Sequence, residues 1–432
     1  MLSDTLAAAL DKRGIHYGWI VAGTTFLVML ATAGAMGSAG VLIQPLRDEF
    51  GWSTEQISTA FAVRLVFFGL LGPFAAAFMN HFGIRKVVAA ALALIGTGVA
   101  LSLMMRELWQ LVLLWGLVIG VGTGMTALVL GATVASRWFD KRRGLVVGLM
   151  TASNATGQLI FLPILASLSE HVGWRAALTM VVVMLAVAFL LATLLLRDYP
   201  ADVQLPVYGQ RHLTPVPAHE RRLIELLTTP LRTLRDAART RVFWVLFATF
   251  FVCGFSTNGL IQQHWISICG DVGITPTGAA GYLALIGAFD FFGTILSGWL
   301  SDRYDNRYLL LAYYGLRGLS LLYLPYSGFS LVTLTAFAVF YGLDWVATVP
   351  PTVKLTAQRF GAEKAGLVFG WVFTGHQLGA ATAAFLAGAV RTETSSYAGA
   401  IFAAGLACLG AALLILWVSK SPAAGKAAAS AA

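Results

Sequence analysis

The chain has 432 residues, 58% of them hydrophobic and only 11% charged, with 45 glycines and a net charge of +9. Its mean hydropathy is +0.77. A soluble domain carries about 25% charged residues, so this chain cannot coat itself against water and its solvent must be lipid. That excludes a cytosolic enzyme, a nucleic-acid binder and a secreted disulfide scaffold.

A bilayer core takes ~20 apolar residues per helix. Twelve segments qualify in chain order: 17–43, 54–79, 84–105, 108–136, 143–168, 174–196, 241–269, 276–301, 307–326, 329–358, 363–391 and 396–418. Leu6 to Leu10 is too short for a signal core and runs into Asp11, Lys12 and Arg13, so no cleavable signal is expected. Pro350 and Pro351 interrupt the tenth segment. Cys253, Cys269 and Cys408 lie in apolar stretches and read as small hydrophobes. The polar, proline-rich stretch 197–240 reads as a linker between a six-span bundle at 1–196 and another at 241–432. Near 219–238 it has the pattern of an interfacial amphipathic helix.

Of the 29 Lys and Arg residues, 22 fall on the side shared by both termini and the linker. The positive-inside rule then predicts cytoplasmic termini in a multi-pass plasma-membrane protein, a bacterial inner-membrane protein by expectation. It also accounts for the basic charge without nucleic acid.

The halves repeat at an offset of 222 residues. Arg137-Trp138-Phe139 … Gly144-Leu145-Val146-Val147-Gly148 returns as Arg359-Phe360 … Gly366-Leu367-Val368-Phe369-Gly370. Asn154 falls on His376, Gly157 on Gly379, Asn80 on Asp302 and Arg85 on Arg307. Two parallel halves of this kind are the plan of alternating-access carriers, with the site between them at the bilayer midplane. The expected fold is an all-α membrane protein of twelve transmembrane helices in two pseudo-symmetric six-helix bundles, working as a monomer.

Gly293-Thr294-Ile295-Leu296-Ser297-Gly298-Trp299-Leu300-Ser301-Asp302-Arg303-Tyr304-Asp305-Asn306-Arg307 resembles the loop motif of the major facilitator superfamily. Its first-half partner, Ala77 to Lys86, is similar but has Asn80 where the family has Asp. His16-Tyr17-Gly18-Trp19-Ile20-Val21 and Arg137-Trp138-Phe139-Asp140-Lys141-Arg142-Arg143-Gly144 resemble the monocarboxylate-transporter and oxalate/formate-antiporter branch. The resemblance implies a gating latch at Asp302, Arg303 and Arg307, with Asn80 and Arg85 as a weaker first-half counterpart. It also implies that spans 3, 6, 9 and 12 lie away from the cavity, which favours a support role for Arg317. Asp290 matches the branch's span-8 proton-coupling Asp. The arginine four residues on is Thr294 here, and the span-1 lysine is Gly37.

Ionisable residues inside spans are expensive and mark function by default. They are Arg64, Asp290, Arg317, Asp344 and Lys354. Counted at ~1.5 Å per residue, the first four converge on the midplane, and Lys354 lies near the inner surface. Asp290 and Arg317, on consecutive spans at matched depth, suggest a buried ion pair. Arg64 has no acid in its own half. An anionic substrate, a bridge across the cavity to Asp344 or Asp290, and local backbone packing all remain open for it. Asp290 and Asp344 are the candidate proton-coupling acids, since an anion alone would leave the loaded site charged in a low dielectric. His376 reads as a proton carrier or a cavity-lining hydrogen bonder. With Arg64, the amides Asn154, Gln158, Asn258, Gln262 and Gln377 and His376 make up the candidate substrate contacts. The Gly116, Gly120, Gly122 and Gly124 run sits inside an apolar helix and reads as close packing. No enzymatic motif, cofactor or metal set is present in the sequence. The predicted function is transport of a small organic anion, a monocarboxylate, with proton symport. An anion exchanger, a drug or amphiphile exporter and a non-transporting membrane receptor are the alternatives.

Overall fold

The computed structural model describes residues 2–126, 128–213 and 223–418. Among the described residues twelve long helices follow one another: α1 Gly18–Phe50, α2 Thr54–Phe82, α3 Ile84–Ser102, α4 Leu108–Trp138, α5 Arg143–His171, α6 Trp174–Leu195, α7 Arg241–Gly270, α8 Pro276–Ser301, α9 Asn306–Tyr323, α10 Leu331–Phe360, α11 Ala362–Thr394 and α12 Ala398–Trp417. Nine are long and apolar enough to span a bilayer by length and composition among the described residues. Of the other three, α9 and α11 carry Arg317, His376 and Gln377, which dilute their apolar character, and part of α5 lies outside the residues searched.

The helices end where local chemistry ends them. Ser53 opens α2 with a capping box to Gln56, and Thr275 caps α8 ahead of Pro276. Gly83 at φ +88° and Gly361 at φ +81° turn the chain between α2 and α3 and between α10 and α11. α1 outruns the predicted apolar segment and reaches Phe50, because hydropathy fades before helicity does. Gly51 at φ +70° ends it.

Within each half, α3 packs on α6 and α9 on α12, away from the centre. The halves meet where α2 packs on α11 and α5 on α8. The 222-residue repeat is visible in this packing. A Cβ on Gly120 of α4 would meet the Arg64 backbone of α2, and one on Gly342 of α10 would meet the Ile286 backbone of α8. Gly116 and Gly124 press α4 onto α2, and Gly122 presses it onto α3, so the glycine run is a packing seam. α4 pauses in a turn at Thr126, and α10 is unwound between Asp344 and Val349, with Thr348 at the equivalent position.

The linker helix Leu223–Ala238 lies under the α2–α11 seam, and Trp371 Nε1 donates to the Pro230 carbonyl at 2.8 Å. Earlier linker residues fold back on α1 and α4. Tyr208 N donates to the Trp138 carbonyl at 2.9 Å, and His16 Nε2 pairs with the Pro206 carbonyl at 2.9 Å. The rings of Trp19, Phe139 and Tyr208 close an aromatic cluster. The two separate branch-like motifs therefore form one clasp on the linker side.

Candidate functional site

A cavity of about 610 Å³ lies between the halves. Both halves line it: Met36, Phe68 and Thr123 from the first, and Asn258, Asp290 and His376 from the second, are representative. It reaches Leu145, Gly148 and Leu149 near the linker-side start of α5. On the opposite face the halves are joined. Glu55 N donates to Thr392 Oγ1 at 3.2 Å, and Thr277 Oγ1 donates to Glu170 Oε2 at 2.7 Å. A Cβ on Gly40 would sit 3.0 Å from the Gln262 carbonyl.

Of the candidate substrate contacts, Asn258, Gln262, His376 and Gln377 line the cavity. The Gln377 amide meets His376 Nδ1 at 3.3 Å, and its Oε1 has no partner among the described residues. The His376 ring stacks on Phe373 with centroids 5.5 Å apart. The side chains of Asn154 and Gln158 lie outside the described residues. Arg64 does not line the cavity. It is fully buried one layer behind the wall, where Nη1 donates to the carbonyl of cavity-lining Met36 at 3.0 Å. Phe61 and Trp115 flank its guanidinium. Its Nε and Nη2 have no partner among the described residues.

The buried ion pair differs from the one the spacing suggests. Arg317 Nε meets Asp344 Oδ2 at 2.6 Å, not Asp290. Equal depth on consecutive spans did not place Arg317 and Asp290 together, because α9 turns away to pack on α12 and the Arg317 side chain reaches past α8 to the break in α10. There Nη2 donates to the carbonyls of Asp344 and Trp345, and Nη1 donates to Cys253 Sγ at 3.0 Å. Cys253 is thus not only a small hydrophobe: its sulfur accepts from a guanidinium and it lines the cavity. Asp290 faces the cavity, and its Oδ1 accepts from Thr294 Oγ1 and from Val346 N, both at 3.0 Å.

The candidate gating residues cluster on the linker side, each within its own half. Arg137 Nη2 donates to Asn80 Oδ1 at 2.6 Å, and Arg85 N donates to Asp198 Oδ1 at 2.9 Å. Asp198, which sequence reading missed, supplies an acid where Asn80 lacks one. Asp302 pairs with Lys354 at 2.8 Å. Arg307 pairs with Asp305 at 2.6 Å and donates to the Val418 carbonyl. Arg303 lies over the Trp299 ring. Lys354 beside Asp302 holds that carboxyl below the usual carboxylate range. His264 was also missed. It is buried, with Nδ1 3.1 Å from the Tyr397 hydroxyl and Nε2 2.9 Å from the Ala384 carbonyl. Among the described residues no three His, Cys, Asp or Glu side chains form a group that could hold a metal ion.

The family model of the Major Facilitator Superfamily matches residues 24–380 and 266–432. The chain belongs to this superfamily. It is a membrane transporter and not an enzyme. It is 25% identical over 394 residues to the uncharacterized MFS-type transporter YcxA of Bacillus subtilis (strain 168), covering 88% of this chain and 90% of the relative. It is 27% identical to monocarboxylate transporter 11 of Homo sapiens, covering 94% and 83%, and 24% identical to monocarboxylate transporter 12-B of Danio rerio, covering 93% and 87%. The crystal structure of a D-xylose-proton symporter superposes with a TM-score of 0.70 at 13% identity, over 94% of this chain and 98% of that one. That likeness speaks for the twelve-helix fold alone.

Proposed function

We propose that this transporter moves a small monocarboxylate together with a proton by alternating access, the bundles 1–196 and 241–432 rocking about the cavity. The observation that carries the reading is the division of charge. Arg317 and Asp344 neutralise each other at 2.6 Å. Among the described residues that leaves Arg64, with two donor nitrogens unmet, as a buried cation without an acid partner and Asp290 as an acid on the cavity wall. A buried guanidinium without a carboxylate calls for an anion. An anion near Arg64 with a proton on Asp290 leaves the loaded site neutral. Arg64 reaches cargo by exchanging its bond to Met36, with Asn258, Gln262, His376 and Gln377, and on the α5 side Asn154 and Gln158, as polar contacts. Asp302, Arg303 and Arg307, with Asn80 and Arg85, serve as the linker-side latch. The protein acts as a monomer in a bacterial inner membrane with both termini cytoplasmic, in line with the Lys/Arg asymmetry. The names of the monocarboxylate-transporter relatives favour the same cargo class.

A second reading, export of cationic amphiphiles, draws on the aromatic wall of Phe68, Phe250, Phe291, Trp345 and Phe373 around the acidic Asp290. Proteoliposomes with an internal pH dye separate the readings. Uptake of a labelled short-chain monocarboxylate with matching acidification, lost in Arg64→Met, is the expected result. Anion exchange without acidification means an antiporter. Transport of cationic dyes only, undisturbed by Arg64→Met, overturns the anion claim.

A further inference from the structure

The break in α10, in the wall of the cavity, leaves backbone groups without helical partners within the bilayer span, where other protein groups or the cavity must meet them. Pro351 has no N–H for the Ala347 carbonyl; Ser297 Oγ of α8 donates to it instead. The Asp344 and Trp345 carbonyls receive Arg317 of α9. Trp345 N turns back to the Gly342 carbonyl at 3.0 Å, the acceptor an unbroken helix would give to Val346. Val346 N is released and donates to Asp290 Oδ1 at 3.0 Å. Three side chains on two neighbouring helices thus hold one unwound turn.

We propose that this turn is where proton binding at Asp290 is converted into movement of the linker-side segment of α10, Val349–Phe360, with Arg317 and Ser297 as positioning residues that fix the carbonyl side of the turn. The inference rests on the proton-coupling role proposed for Asp290. The charge on Asp290 makes its bond to Val346 N–H charge-assisted, about twice the strength of a neutral one. A proton removes that advantage on the N–H side while the carbonyl side stays held, so the turn loosens on one edge. The segment it releases carries Val349 in the cavity wall. It also carries Lys354, bonded to the Ser301 carbonyl and to Asp302, both at 2.8 Å. The proton is thereby read at the cavity and at the linker-side latch through one piece of chain. The groups facing Asp290 are Arg317 of α9, Cys253 of α7 and Asp344 of α10, with His376 of α11 in the same cavity. α5, packed along α8, places Glu170 at the far end on Thr277.

Amide hydrogen exchange on the purified full chain, with no substrate present, tests this. Between pH 8 and pH 5, after correction for intrinsic rates, the protection of the amides of Val346, Val349 and Thr352 falls about fivefold in the wild type. In Asp290→Asn, which keeps an oxygen acceptor but takes no proton, protection is flat with pH. Thr294→Val leaves the carboxylate and retains the response. A flat wild-type profile, or an equal response in Asp290→Asn, overturns the proposal. An exchange response in a protein that moves no anion with a proton sinks the cargo reading and leaves the α10 coupling standing. Coupled flux with a flat profile does the reverse.

Discussion

Two buried arginines in one membrane protein answer differently to removal, and the difference separates support from function. Arg317 holds a carboxylate, two carbonyls and a sulfur. Arg317→Met strands the Asp344 charge and unties the α10 break. Breaking a buried pair from one side costs about 3–5 kcal/mol, which lowers the thermal midpoint of the detergent-solubilised protein by on the order of 10 °C. Arg64 holds one carbonyl and leaves two donors unmet. Arg64→Met loses about 1 kcal/mol of hydrogen bond and a weak ring contact. It regains about 1–3 kcal/mol for each unmet donor removed, and the flexible thioether fills the gap between Phe61 and Trp115. The expected midpoint equals or exceeds that of the wild type, while anion uptake in proteoliposomes is abolished. The assay is a thermal melt by fluorescence-detected gel filtration, run beside flux. If Arg64→Met melts as early as Arg317→Met, the guanidinium is structural and its charge is already met, and the reasoning fails.

Glycine substitutions report the packing. A Cβ on Gly293 would strike the Leu343 carbonyl, whereas one on Gly148 meets nothing within 4 Å. Gly293→Ala should lower the melting midpoint by several degrees. Gly148→Ala should hold or raise it through about 1 kcal/mol of helix propensity; the reverse order would show that α8 and α10 do not touch as described. Asp302 tests the latch and its pH range. Its carboxyl titrates below the ordinary value, so the bond to Lys354 is complete above about pH 4 and is lost only as pH falls through the lowered value. In the Asp290→Asn background, where the α10 turn takes no proton, Asp302→Asn should therefore shift the melting midpoint by the same amount at pH 5 and at pH 8. A shift that varies between them would place a second titrating group on the latch itself.

The twelve helices and the two halves were legible because lipid leaves few choices. Apolar length, Lys/Arg placement and a 222-residue repeat are global quantities that survive local irregularity. For the candidate site, sequence named residue types that the cavity gathers, but not their partners. Depth along a helix places Asp290, Arg317 and Asp344 at one level but carries no rotation about the axis and no helix neighbourhood, so the pairing of Arg317 went to the wrong acid. Pro350 and Pro351 announced an interruption. Which backbone groups it would free, and that Asp290, Ser297 and Arg317 would meet them, needed the packing of α8 and α9 around α10. Asp198 was hidden for a similar reason: it sits in the linker by sequence, yet it reaches the start of α3 in space.

The repeat sharpens what is unequal. At the 222-residue offset Arg64 corresponds to Ile286 and Asp290 to Phe68, so neither charged side chain is repeated in the other half. In the second half Arg317 and Asp344 cancel, and Arg317, Ser297 and Asp290 meet part of the broken backbone. The first half left a guanidinium with one neutral acceptor. Had Arg64 been a support residue, the low dielectric would have favoured a partner acid nearby or an apolar side chain in its place. Its burial without one is the physical reason for reading the pair, one cation behind one wall and one acid on the other, as two half-sites, each charged when empty and each neutralised when the cargo and its proton bind.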